Sequence, residues 1–189
     1  QAGAGREQSD DLSSLGRMAL VSLMVIYTLL ASQLRSYSQP LIILSGVPFG
    51  AAGALVGHYL LGYDLSFISI FGMVALSGVV VNDSLVLMDR YNKMMREGQM
   101  QAQQAIVAAA KSRFRAIFLT TATTALGLTP MLFETSTQAQ FLIPMAVSLA
   151  TGIVFASIII LFIVPALVII RHDLLGDKRV ADAELALST

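Results

Sequence analysis

Charge is scarce in this chain. Of its 189 residues only 13% are charged and 56% are hydrophobic, and the mean hydropathy is +0.74. An ordinary soluble domain carries about 25% charged residues, so too few are present here to coat a soluble surface. Disorder is excluded as well, since it needs low hydrophobicity and high net charge. Cysteine is absent, which removes a disulfide framework and a thiolate site. Neither sign of charge is in excess: 12 basic residues face 12 acidic ones. A nucleic-acid binder shows a basic surplus, so no nucleic-acid partner is expected. The start, Gln1 to Asp11, is polar and lacks the basic and apolar regions of a signal peptide. It is expected to be the end of an upstream region of a longer protein. No phosphate loop of the Gly-x4-Gly-Lys type occurs. The two histidines, His58 and His172, belong to no metal-spaced cluster. No enzyme constellation, metal site or cofactor is therefore expected, and His58 is expected to be a packed or interfacial imidazole.

What is present is a series of apolar runs between charge clusters. A bilayer core about 30 Å thick needs roughly 20 apolar residues per helix. Spans are expected at about 14–34, 39–62, 65–89, 114–133 and 141–170. Backbone in hydrocarbon must satisfy its own hydrogen bonds, so these are helices. The expected fold is all-α: a polytopic membrane bundle of five transmembrane helices occupying 12–172, followed by a polar cytoplasmic tail over 173–189 that frays. Between Arg90 and Ser112 lies the longest connector, broken by Gly98. Beyond it Ala102, Ala105, Ile106, Ala109 and Ala110 recur at helical spacing. This predicts a short interfacial helix at about 99–112 on the cytoplasmic face, or a linker packed against the bundle.

Orientation follows from the distribution of Lys and Arg. One side receives Arg35, Arg90, Lys93, Arg96, Lys111, Arg113, Arg115, Arg171, Lys178 and Arg179. The other receives Arg6 and Arg17, with Asp64 and Glu134 in its loops. The C-terminus is expected in the cytoplasm and the N-terminus outside.

Span three holds a carboxylate. Asp83 follows about 18 uncharged residues in the run Gly78-Val-Val-Val-Asn-Asp-Ser-Leu-Val-Leu-Met-Asp89. A charge within a span costs several kcal/mol unless paired, hydrated or protonated, and it usually faces the bundle interior or a water path. The bland alternative is that Asp83 sits near the inner headgroups and snorkels. Asn82 points about 100° away from it. Span four adds a polar stripe, because Arg113, Thr120, Thr124 and Gly127 are spaced by seven, four and three and share one face. Thr120 either faces Asn82 across a helix contact, relaying or sensing a proton, or bonds the carbonyl a turn behind it. Gly50, Gly53 and Gly57, with Gly78, Thr124 and Gly127, are candidates for close helix packing.

These motifs carry a resemblance. Ser38-Gln39-Pro40-Leu41, Gly46-Val47-Pro48-Phe49-Gly50, the run Gly78 to Asp89, and Arg113-Phe-Arg-Ala-Ile-Phe-Leu-Thr120-Thr121 occur in that order. Together they resemble the last five helices of a resistance-nodulation-division (RND) efflux pump of the hydrophobe/amphiphile branch. The resemblance covers almost the whole chain. It implies helices eight to twelve of a twelve-helix transporter, with an upstream half of the same transporter as partner. It further implies a homotrimer in the bacterial inner membrane, surrounded by lipid, with a periplasmic adaptor and an outer-membrane channel. Protons flowing inward would drive drugs or other amphiphiles outward. The family couples protons through two aspartates on helix four, a Lys-Asn pair on helix ten and a Thr on helix eleven. By resemblance Asn82, Thr120 and Arg113 occupy matching positions, and Asp83 joins them as in members that lack the lysine. The lysine position is Val81 here, so the counter-charge must arise differently. Ala116 stands where a proline is common. Two rival functions are a lipid- or protein-export relative of the same fold and a non-transporting membrane scaffold.

Overall fold

A computed structural model describes residues 2–97 and 100–187, with side chains placed for fewer residues near the two ends. Gly98 and Gln99 lie outside the described residues, so the expected break at Gly98 does too. Every regular element is an α-helix: α1 (Ala2–Leu34), α2 (Gln39–Leu44), α3 (Gly46–Leu61), α4 (Phe67–Arg96), α5 (Ala102–Leu132), α6 (Thr137–Gln140) and α7 (Ile143–Leu187). No strand occurs among the described residues.

The chain divides into two compact units at Leu41 and Ile42. The first contains α1, which begins well before the expected residue 14. Its apolar side chains from Met18 to Leu29 are largely exposed. Within it the Thr28 hydroxyl donates to the Met24 carbonyl at 2.8 Å. Arg35 adopts a left-handed φ of 49° just past its end, a conformation uncommon for a residue with a Cβ.

The second unit is built around α7, which packs on α3, α4 and α5; α4 also packs on α3 and α5. Val147, Ala150, Ile153, Ala156, Ile160, Val164 and Val168 of α7 are buried at steps of three and four, the spacing of one helix face. α3 ends at Gly62, whose φ of 70° gives the left-handed cap that glycine adopts without penalty. α4 begins at a capping box in which the Ser66 hydroxyl accepts from the Ser69 amide and the Ser69 hydroxyl accepts from the Ser66 amide.

Four stretches are long and apolar enough to cross a bilayer: Gly16–Leu34, Gln39–Leu61, Phe67–Arg96 and Ile143–Leu174. The expected span at 114–133 is helical but is not among them. Its five threonines and Pro130 dilute its apolar character. Nor is there a separate interfacial helix at 99–112. α5 runs unbroken from Ala102 to Leu132, because no glycine or proline interrupts it before Gly127 and alanine, glutamine, lysine and arginine all favour helix. Charge marks where a segment leaves the apolar layer but does not end a helix. For the same reason α4 continues past residue 89 to Arg96, and the backbone expected to fray beyond residue 173 is helical to Leu187.

Candidate functional site

The middle of α4 separates its polar residues onto different faces. Leu76, Val80, Ser84 and Leu87 form the face packed into the bundle. Asp83 lies at the flank of that face and is only 8% exposed. No hydrogen bond or ion pair reaches its carboxylate from the described residues. One residue earlier, about 100° around the helix, Asn82 is exposed. Gly78, one turn before Asn82, has nothing within 4 Å of the position a Cβ would occupy. Val81 is half-buried.

On α5 the polar stripe changes surroundings along its length. Toward the start of the helix the stripe's face is occupied by Ala102, Ala105, Ile106 and Ala109, all buried. Farther along, Arg113 and Thr124 are half-buried, and Thr120 is exposed. Gly127 faces open space. The Thr120 hydroxyl donates to the Ile117 carbonyl at 2.9 Å and the Ala116 carbonyl at 3.1 Å. Its bonding is therefore internal to α5, and no hydrogen bond joins it to Asn82. Of the four expected coupling residues, no two are bonded to each other among the described residues.

The packing candidates divide in two. Gly50, Gly53 and Gly57 lie in the contact of α3 with its neighbours. A Cβ on Gly50 would sit 3.3 Å from Leu76 Cδ2, and on Gly53 and Gly57 it would collide with Phe155 and Thr151. Gly78 and Gly127, by contrast, pack on nothing among the described residues. Helical spacing shows that residues share a face; it does not show whether this chain covers it.

Two polar features lay outside the periodic pattern. The hydroxyls of Thr121 on α5 and Ser157 on α7 are 2.6 Å apart and buried. No local motif links residues so distant in sequence. His58 is buried, with Nδ1 2.9 Å from the Ala54 carbonyl and Nε2 2.9 Å from the Ser69 hydroxyl. In the neutral imidazole, bonding to a carbonyl requires Nδ1 to donate, so Nε2 accepts from Ser69. The histidine thus ties the end of α3 to the capping box of α4. The Ser84 and Ser148 hydroxyls are also buried without a partner among the described residues. A cleft of about 70 Å³ lies between Ala102, Gln103, Val168, Ile169, His172 and Asp173, well below the roughly 300–1,000 Å³ that a drug-sized ligand occupies. No group of three His, Cys, Asp or Glu side chains suited to a metal occurs among the described residues.

The local picture is a helical bundle with a buried aspartate that has no partner among the described residues, beside small and polar faces that those residues leave uncovered. Residues 2–172 match the AcrB/AcrD/AcrF family. The chain belongs to that family. Among its relatives is the multidrug resistance protein MdtC of Proteus mirabilis (strain HI4320), 28% identical over 164 residues, or 87% of this chain and 16% of the relative. MdtC of Pectobacterium carotovorum subsp. carotovorum (strain PC1) is 27% identical over 188 residues, or 99% of this chain and 18% of the relative. A crystal structure of a heavy metal efflux pump superimposes with a TM-score of 0.76 at 26% identity, covering 86% of this chain and 16% of that one. The chain thus spans about a sixth of the length of these relatives, and it is a multi-pass membrane protein of the RND fold.

Proposed function

We propose that this chain is the C-terminal membrane part of an RND exporter driven by the proton-motive force, and that Asn82, Asp83, Thr120 and Arg113 are its share of the coupling site. The observation that carries this is Asp83: a carboxylate buried within a span, with no partner among the described residues. Such a group is expensive unless it is protonated or meets a partner from elsewhere. The uncovered face of α4 at Gly78 and Asn82 and that of α5 at Thr120 and Gly127 offer places where further polypeptide docks. The relatives, about six times as long, supply a precedent for such polypeptide.

On this proposal residues 1–11 close an upstream periplasmic region and the second half of α5 completes a set of five spans. The N-terminal side lies outside the inner membrane and the C-terminal end in the cytoplasm. The transporter works as a homotrimer with a periplasmic adaptor and an outer-membrane channel. The relatives bear names that refer to multidrug resistance and heavy metal efflux, and drugs or other amphiphiles are the cargo proposed here. Val81 leaves the site without a lysine, so proton exchange falls to Asp83 and to carboxylates outside this chain.

The test is drug efflux by the native protein in cells. Asn82→Ala and Thr120→Ala each abolish efflux while expression and membrane insertion stay normal. Efflux that survives both changes contradicts the assignment and favours the scaffold function, in which these side chains contribute about 1 kcal/mol or less to helix packing.

A further inference from the structure

One end of the second unit is lined with cations, and their register can be fixed. The Thr121–Ser157 hydrogen bond aligns α5 with α7. At 1.5 Å per residue, Arg115 and Lys111 lie about 9 and 15 Å along α5 from that bond. Ser157 lies about 21 Å along α7 from Ile143 at the same rise. The sum of about 30 to 36 Å brings Arg115 and Lys111 to the far edge of a hydrocarbon core about 30 Å thick. On α4, Arg90 lies about 35 Å from Phe67, at a similar depth. Arg171 of α7 is within electrostatic range of Tyr91 of α4, which places it at the same end. Lys93 and Arg96 complete the group one to two turns farther out. Six basic residues therefore gather there against Asp89, Glu97 and Asp173. The loops at the opposite end, 62–66 and 133–142, carry Asp64 and Glu134 and no Lys or Arg.

The cations are also presented outward. Lys93, Arg96, Lys111 and Arg115 are exposed. Lys111 and Arg115 are one turn apart on α5, on the side opposite the buried Ala105 and Ala109. Beside them, on the same outward side, Phe114 and Phe118 are exposed and stacked with ring centroids 6.2 Å apart. Exposed aromatic rings directly next to cations suit an interface with headgroups on one side and acyl chains on the other, and suit water poorly.

We propose that the last turns of α4 and the first half of α5 carry a collar that binds anionic phospholipid. Lys93, Arg96, Lys111 and Arg115 hold the phosphates and Phe114 and Phe118 rest against the first acyl carbons. The basis is charge complementarity together with the depth of the residues, and it holds whether or not Asp83 couples to protons.

The test uses the native protein reconstituted in nanodiscs of phosphatidylcholine with or without phosphatidylglycerol, followed by native mass spectrometry of the lipids retained. Phosphatidylglycerol is retained in preference to phosphatidylcholine, and raising the salt concentration releases it. Lys111→Gln or Arg115→Gln each lowers phosphatidylglycerol retention about five-fold, from the roughly 1 kcal/mol typical of one basic residue near an anionic surface. Lys111→Arg and Arg115→Lys retain it. Equal retention of both lipids, retention insensitive to salt, or full retention by the neutral variants overturns the proposal and leaves the collar as a contact for protein. The salt series needs no variant, so a variant that fails to fold does not shield the proposal.

Discussion

At the scale of single residues, membrane burial makes each polar group's pairing consequential. Several hydroxyls in the helices solve this alone. Ser45, Ser77, Thr123, Thr129 and Thr151 each donate to a carbonyl three or four residues back, and Thr120 does the same. Thr121 and Ser157 solve it across two helices. Thr121→Val should therefore lower the stability of the purified protein by about 1 kcal/mol, because the Ser157 hydroxyl loses its partner. Adding Ser157→Ala should recover part of that loss; a thermal melt of the single and double variants checks both. Ser84→Ala and Ser148→Ala delete hydroxyls that have no partner among the described residues, and either change should be neutral or slightly stabilising in the same melt. Asp83 was legible in the sequence because a lone charge in an apolar run stands out. The Thr121–Ser157 pair was not, because contacts between helices depend on how the helices cross.

At the scale of elements, glycine has two uses in this chain. Gly53 and Gly57 let α3 approach α7 closely, whereas Gly78 and Gly127 face open space. Gly53→Ala drives a methyl into Phe155 and should destabilise by about 1–3 kcal/mol, the usual cost of overpacking. Gly127→Ala meets no obstacle in this chain and should gain up to about 1 kcal/mol from helix propensity. A stable Gly127→Ala protein with impaired efflux would mark the uncovered face as the docking site of other polypeptide. A stable variant with full efflux would show that the face needs no close contact. The presence and type of the helices were legible from apolar runs and spacing. Their ends were less so: the cluster Lys111, Arg113, Arg115 suggested a boundary, yet α5 passes through it because those residues are good helix formers.

At the scale of the whole molecule, the chain spans about a sixth of the length of its relatives. α7 packs against α3, α4 and α5, while the face of α4 at Gly78 and Asn82 and the face of α5 at Thr120 and Gly127 remain uncovered among the described residues. Asn82 and Thr120, proposed above as coupling residues, lie on these uncovered faces, whereas Arg113 is half-buried in the first half of α5 and Asp83 lies at the flank of the packed face. This explains why spacing could nominate Asn82 and Thr120 but could not bring them into contact. The central claim is that Asp83 exchanges protons from within the membrane. Dicyclohexylcarbodiimide attacks protonated carboxyls in apolar surroundings, so peptide mass spectrometry of the native protein treated over a range of pH tests the claim directly. Modification of Asp83 should fall as pH rises and be absent from Asp83→Asn. No modification of Asp83 at any pH, or modification that does not change with pH, would contradict it.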